Sequence, residues 1–260
     1  MTGYTGGEFS SYINAGDVDI FVAKYNSSGT QQWTQQLGTF HEDHAQGIAT
    51  DSSGNVYVTG HTYGSFDGNT NAGLSDFFVV KYDSSGTQQW TQQLGTSTLD
   101  YANGISTDSS GNVYVTGLTF SGLDGNAHAG QTDIFVVKYN SSGVKQWTRQ
   151  LGTSSYDSGH GITTDSSGNI YVTGATTGGL DGYSNAGGSD LFVIKYDSDG
   201  IKQWTQQLGS VDQENGLGIT SDPNDNIYVT GWTAGRLDVD TKFGEGDAII
   251  VKYDTDGNKQ

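Results

Sequence analysis

Short stretches of alternating apolar and polar residues recur along the chain, separated by clusters of Gly, Asp, Asn and Ser. One unit holds four of them, at residues 103–107, 112–117, 133–139 and 145–152. Alternation with a period of two predicts β-strands, which we label a, b, c and d in chain order. Since no stretch has helical spacing of apolar residues, the pattern predicts an all-β chain.

Strands c and d differ in how much of their surface is apolar. In strand c, Ile134 and Val136 alternate with Phe135 and Val137, so both faces of the sheet need cover. Strand d, "QQWTQQL" at residues 88–94, is half polar, which is typical of a strand at the rim of a sheet. Strand d is therefore expected to be outermost.

The four strands belong to a repeat of 57 residues. Its most visible markers are one tryptophan per unit, at Trp33, Trp90, Trp147 and Trp204. Four-stranded sheets covered on both faces and repeated at a fixed period are typical of propeller blades, whose usual period is about 40 to 50 residues. We predict one β-propeller domain over residues 1–260, with about five blade-like units and four antiparallel strands in each full blade. The extra length lies in a long loop.

The terminal units are incomplete. The chain holds four a, five b, five c and four d strands, because the first unit lacks strand a and the last lacks strand d. Met1 stands where the other units have Val, which indicates a piece of a longer array. A complete ring, an open arc and half of an assembly are all compatible with this pattern, and the incomplete ends predict self-association.

The loops divide into two kinds. The a–b and c–d connections are tight turns such as "TDSSGN" and "YDSSG", whereas the b–c and d–a connections are long. Because neighbouring strands run in opposite directions, the two long loops should share one rim. We expect a binding face on that rim.

The unit "DSSGNVYVTG…DIFVVKYDSSGTQQWTQQLGTS…GI" resembles the bacterial β-propeller repeat called SBBP along the whole chain. The resemblance implies a propeller of a kind common in secreted or surface-associated bacterial proteins, and it carries over no functional residue. An extracellular or cell-surface location follows as an expectation, with the export signal outside this segment.

A second resemblance concerns the tryptophans. The stretch DSSGTQQW at residues 83–90 is similar to the tryptophan docking motif of quinoprotein propellers. It implies that Trp33, Trp90, Trp147 and Trp204 pack between blades. The chain has no cysteine for the active-site disulfide typical of the quinone enzymes, so the similarity extends only to packing.

Charge excludes two classes of partner. With 11 Lys and Arg against 29 Asp and Glu, the formal net charge is −18, which opposes binding to nucleic acid or anionic membranes. No apolar run approaches the roughly 20 residues of a membrane helix, so we expect no membrane insertion.

Each long loop carries an acid at a repeated position. The d–a loops hold Asp43, Asp100, Asp157 and Glu214, and the b–c loops hold Asp67, Asp124, Asp181 and Asp238. Eight carboxylates on one rim would suit calcium, the one candidate cofactor. Alternatively, these acids accept hydrogen bonds from backbone N–H groups of the loops, since no complete D-x-D-x-D-G loop is present.

Residues just after "TG" in strand b vary among the units. Tyr4, His61, Tyr63, Phe120 and Trp232 occupy such sites and are our candidates for ligand binding, because aromatic side chains beside Asp and Asn can stack on sugars or grip peptides. Relaxed constraint on a loop explains the variation equally well. His41 and His44 in "HEDH" could ligate zinc, but no other unit has this pattern.

No carboxylate pair is singled out for catalysis, and no G-x-S-x-G motif is present. We therefore predict a non-enzymatic propeller module that binds or scaffolds protein partners through the long-loop rim. The alternatives are a multivalent, lectin-like propeller that binds glycans with or without calcium, and a hydrolase or lyase acting in the central channel.

Overall fold

The computed structural model describes residues 1–9, 12–237 and 246–260. This part of the chain forms 18 β-strands in five antiparallel sheets, which confirms the all-β prediction and the propeller-like division into repeated units. No helix in the described residues is long and apolar enough to cross a membrane.

Each sheet is built from strands that follow one another in the sequence. The first sheet contains β1 (Thr2–Thr5), β2 (Asp19–Tyr25) and β3 (Gln31–Leu37); the second β4 (Asp43–Thr50), β5 (Val56–Thr62), β6 (Asp76–Tyr82) and β7 (Gln88–Leu94); the third β8 (Asp100–Thr107), β9 (Val113–Thr119), β10 (Asp133–Tyr139) and β11 (Lys145–Leu151); the fourth β12 (Asp157–Thr164), β13 (Ile170–Thr176), β14 (Asp190–Tyr196) and β15 (Lys202–Leu208); the fifth β16 (Glu214–Ser221), β17 (Ile227–Thr233) and β18 (Asp247–Tyr253). Two short 3₁₀ turns, Leu123–Gly125 and Leu180–Gly182, lie in b–c loops.

The a strands β4, β8, β12 and β16 lie against one another in succession, and strand d is the outer strand of each sheet that has one. Tyr57, Phe77 and Val79 of the second sheet pack on Val115 and Phe135 of the third, all of them fully buried. Equivalent cores join the first sheet to the second, the third to the fourth and the fourth to the fifth. Strand c therefore has cover on both faces, as its apolar pattern predicts.

A tryptophan joins each pair of neighbouring sheets on the outer side. Trp90 Nε1 donates to the carbonyl oxygen of Ser141 in the next sheet at 3.3 Å. Trp33, Trp147 and Trp204 donate in the same way to the carbonyls of Ser84, Ser198 and Thr255. Beneath the Trp90 ring lies Gly143 with φ +81°, where a Cβ would come within 2.8 Å of the indole. The c–d turn thus needs glycine both for its backbone conformation and for the space the indole occupies.

Among the described residues, each of the two terminal sheets has one face that no neighbouring sheet covers. Ile250 of the fifth sheet is 75% exposed, whereas Val193, at the same place in the fourth sheet, is fully buried. At the other end, Tyr25 is 44% exposed and its equivalent Tyr82 is buried. The first sheet therefore does not cover this face of the fifth.

Candidate functional site

The two kinds of long loop lie side by side, as alternation of strand direction requires. The backbone N–H groups of Leu74 and Ser75, in a b–c loop, donate to the carbonyl of Thr98 in a d–a loop at 3.1 and 3.2 Å. Tyr63 N donates to Glu42 O at 3.1 Å in the preceding unit. We use the term long-loop rim for the d–a loops at 38–42, 95–99, 152–156 and 209–213 together with the adjoining ends of the b–c loops.

The acids of the d–a loops are buried and bound to their own loops. Asp100 accepts hydrogen bonds from Thr119 Oγ1 at 2.5 Å and from the backbone N and Oγ1 of Thr96 at 2.6 and 2.9 Å. Asp43, Asp157 and Glu214 accept equivalent bonds in their units. Burial raises the pKa of Asp43, Asp100 and Asp157, opposed by the bonds from threonine. These contacts give the acids a structural use in closing the loop.

The acids of the b–c loops lie elsewhere, because these loops fold over the outer strand d. Asp67 accepts a bond from Thr91 Oγ1 of β7, and Asp124 accepts from Thr148 of β11 at 2.8 Å and from Lys145 Nζ at 2.5 Å. Asp181 makes the same contact with Thr205. Asp238 lies outside the described residues.

The eight acids therefore do not form one ring around the rim as the sequence suggested, since the described b–c acids face strand d. No group of three or more His, Asp or Glu side chains suited to a metal occurs in the described residues. Calcium binding stays a prediction.

Three of the five candidate ligand-binding residues come together. His61 lies between His44, stacked at 4.9 Å between ring centroids, and Tyr101, at 4.4 Å. Tyr4 meets the edge of His44 at 4.5 Å, and Tyr63 Oη lies 3.2 Å from Tyr101 Oη. We call Tyr4, His44, His61, Tyr63 and Tyr101 the His–Tyr cluster; it spans the first three units on the long-loop rim.

Strand pairing produces this cluster. The a–b register places His44 opposite His61, both on the same face. Next to them, Gly60 lies so close to the carbonyl of His44 that a Cβ would stand 1.8 Å from the oxygen. The glycine of "VTG" therefore allows strands a and b to approach where the two imidazoles stack.

The imidazoles differ in their surroundings. Burial lowers the pKa of His61 to about 4, with a further contribution from His44, and its buried Nδ1 has no hydrogen-bond partner in the described structure. His44 Nε2 lies 3.3 Å from Glu42 Oε2. The His61 imidazole is therefore neutral at physiological pH, and it lies among aromatic rings, with the carboxylate of Glu42 at the edge of the cluster.

The remaining candidates lie apart from the cluster. Phe120, equivalent to Tyr63, is 37% exposed and lies on the next unit. Trp232 is paired with Asn215 in the fifth sheet and has no ring contact with the cluster among the described residues. His41 packs edge-on against Phe40 at 5.8 Å, whereas His44 turns toward His61, so "HEDH" does not act as one ligand group.

Two members of the cluster were missed as part of an aromatic site: Tyr101 has no role in the sequence analysis, and His44 appears there only as a possible zinc ligand. The sequence does indicate that His44 faces His61, because the repeated a–b turn fixes the register of the two strands. That register determines which residue of strand a lies opposite each residue after "TG". Tyr101 joins through the neighbouring blade, and no pattern within a single unit reveals that contact.

The β-propeller repeat model SBBP matches residues 32–67, 89–124, 146–181 and 203–238. The chain is 26% identical over 257 residues to an uncharacterised WD repeat-containing protein, L264, of Acanthamoeba polyphaga mimivirus, covering 77% of this chain. It is 27% identical over 171 residues to the regulatory protein FlaEY of Caulobacter vibrioides, covering 59% of this chain. The chain spans only 18% of the length of each of these relatives.

Solved structures align with the chain at low sequence identity. A protein of unknown function from Bacteroides caccae aligns with a TM-score of 0.52 and 12% identity, over 99% of this chain and 70% of that one. A gluconolactonase from Xanthomonas campestris aligns with a TM-score of 0.46 and 14% identity, over 82% and 65%. The first similarity supports the fold, and the second carries no conclusion about this chain.

Proposed function

The chain belongs to the SBBP β-propeller repeat family, and we propose that it is a non-catalytic binding module of the cell exterior whose long-loop rim contacts a protein partner. One observation carries the proposal: the tips of this rim present large apolar side chains to solvent. Phe40 is 80% exposed and Val211 is 81% exposed, and both stand at the same place in their d–a loops, where the other units have Ser97 and Ser154. Exposed apolar groups raised on a rigid frame favour a protein contact.

The acids of the rim support a binding role over a hydrolytic one. Catalytic acids need to face a reacting group, whereas Asp43, Asp100 and Asp157 are turned into their loops and bound by threonine and backbone N–H groups. Their repetition in successive units favours construction of the loop, since a catalytic site needs only one pair.

The partner can be located by photo-crosslinking in the organism that produces the chain. A photoreactive phenylalanine at position 40 should form covalent adducts with the partner. The same residue at position 144, an exposed apolar site on the tight-turn rim, is the matched control and should form none. Adducts of equal yield at both sites, or none at either, would contradict the proposal.

A second candidate function is glycan binding at the His–Tyr cluster. Tyr4 is 54% exposed, and Tyr63 adds a half-exposed ring with a hydroxyl group that can bond to a sugar. A glycan array probed in calcium and in chelator tests it. Binding lost in Tyr4→Ala and Tyr63→Ala but retained in Tyr183→Ala, a comparably exposed tyrosine of the fourth unit, would support a lectin, and binding lost in chelator would add a metal.

A further inference from the structure

Two tyrosines meet across the junction between the second and third sheets. Tyr63 follows directly after β5, and Tyr101 lies in β8. Their hydroxyl oxygens are 3.2 Å apart, although the two residues are separated by 38 positions in the chain. The contact therefore places two phenol groups from neighbouring blades side by side.

The backbone holds both rings in this place. Tyr63 N donates to Glu42 O at 3.1 Å, and Tyr63 O accepts a bond from Asn71 Nδ2 at 2.9 Å. Tyr101 is paired with Leu118 inside the third sheet. Since Tyr63 is 36% exposed, its side chain is open to reagents in solution and has room to turn while its backbone stays fixed.

The tyrosine pair is not part of the repeated frame. The residues at the place of Tyr63 in the other units are Gly6, Phe120, Thr177 and Ala234, and those at the place of Tyr101 are His44, Ser158 and Asn215. The other junctions thus form without two facing hydroxyl groups. Blade packing does not require this contact, so the pair is free to serve another purpose.

Neighbouring phenols have a characteristic oxidative chemistry. Each phenol loses one electron and its hydroxyl proton to become a tyrosyl radical. The two radicals form one C–C bond between carbons ortho to the hydroxyl groups, and the hydrogen on each of these carbons then moves to the oxygen of its ring. In total the chain loses two hydrogen atoms, which hydrogen peroxide, activated by a haem peroxidase, takes up as it becomes two molecules of water.

The geometry favours this coupling within one molecule. Each ortho carbon is only two bonds from its hydroxyl oxygen, and the two oxygens are already in contact. A second radical held beside the first reacts far faster than one that must arrive by diffusion.

We propose that Tyr63 and Tyr101 form a modification site, at which peroxide-dependent oxidation joins the two rings in a dityrosine crosslink between the second and third sheets. The chain has no cysteine and therefore no disulfide, and this bond would constrain its unfolded state in the way a disulfide does. The crosslink does not depend on what the long-loop rim binds, so it stands or falls independently of the function proposed above.

The test treats the full chain, in dilute solution, with hydrogen peroxide and a haem peroxidase. The fluorescence of dityrosine follows the reaction, and mass spectrometry after trypsin digestion locates the bond. Because trypsin cuts after Lys81, the two tyrosines fall in different peptides, and the product is a joined pair lighter by two hydrogen atoms. We expect the link between Tyr63 and Tyr101 to form at least about tenfold faster than any link through Tyr183, a comparably exposed tyrosine.

Three variants that each keep the aromatic ring separate this pair from general oxidation. Tyr63→Phe, which introduces the residue found at 120, and Tyr101→Phe should each lose the link within one chain. Tyr183→Phe is the matched control and should crosslink at the wild-type rate. Links that run mainly between molecules, or a rate that Tyr63→Phe leaves unchanged, would overturn the proposal.

Discussion

His61 stacks on His44 with 4.9 Å between the ring centroids, and neither imidazole has a counterpart at its position in the other units. The pair lies across strands a and b of the second sheet and joins aromatic side chains from the sheets on both sides. The side chains therefore differ from the repeat pattern on the rim that we propose as the binding face. There, residues of three neighbouring sheets form one surface that the other units do not repeat.

The stability of this pair should depend on pH. His61 has a pKa of about 4 in the folded chain and 6.5 as its ordinary value, so the unfolded chain binds more protons between these values. The stability that the neutral imidazole contributes is therefore lost as the pH falls from about 6.5 to about 4. The loss is at most about 3.5 kcal/mol, at about 1.4 kcal/mol per pKa unit, and it is smaller because His61 retains some contact with solvent. Urea unfolding of the wild type and of His61→Leu, the residue found at 118, measures the difference.

The exposed His41→Gln variant is the control for this experiment and should retain the wild-type pH dependence. NMR titration gives an independent reading. A His61 pKa near 6.5 would contradict the expectation.

The docking of tryptophan on the next sheet can be measured at two glycines that occupy the same position in the c–d turns of different units. Gly143→Ala places a Cβ 2.8 Å from the Trp90 ring, whereas Gly29→Ala meets nothing within 4 Å, and both have positive φ. We expect Gly29→Ala to lower the free energy of unfolding by about 1 to 2 kcal/mol, from backbone strain alone. Gly143→Ala should lower it by about 1 to 3 kcal/mol more, because the added methyl group overpacks against the indole. Equal losses in chemical unfolding would mean that the indole moves away without cost.

The loop acids predict a second dependence on pH. Thr119→Val removes the 2.5 Å bond to Asp100 and leaves a buried carboxylate less satisfied, which should cost about 1 to 3 kcal/mol. This bond lowers the pKa of Asp100 against the burial that raises it, so its loss raises that pKa further. The variant should therefore lose more stability at pH 7 than at pH 4.5, where the protonated form is better tolerated.

Thr116→Val is the matched control for the loop acid, because Thr116 donates to the uncharged carbonyl of Phe135 at 2.9 Å. Thr116→Val should lower the free energy of unfolding by the same amount at pH 7 and at pH 4.5. A cost for Thr119→Val that does not change with pH would show that Asp100 does not titrate in this range.

The exposed face of the fifth sheet should tolerate truncation. Ile250→Ala should change the free energy of unfolding by less than about 0.5 kcal/mol, because the side chain is exposed. Val193→Ala, at the same place between two sheets, should cost about 1 to 3 kcal/mol through a lost contact and a cavity. Similar costs for the two would indicate that another surface covers Ile250 in solution.

Local pattern determined the repeated frame of this protein. The 57-residue period predicted the number of strands and their order. The apolar pattern on both faces of strand c and the half-polar pattern of strand d predicted that strand d is outermost. These features depend on side-chain alternation and turn chemistry within a few residues of one another, which the sequence displays directly.

Tertiary structure decided where the b–c loop lies and which residues meet between blades. Asp67 and Asp124 were expected on the rim, but their loops fold outward because strand d offers threonine hydroxyls and backbone groups that satisfy the loop. Tyr101 reaches His61 only because neighbouring sheets pack face to face. The sequence alone determined the blade, whereas contacts between blades, which join residues far apart in the chain, decided which residues form the site.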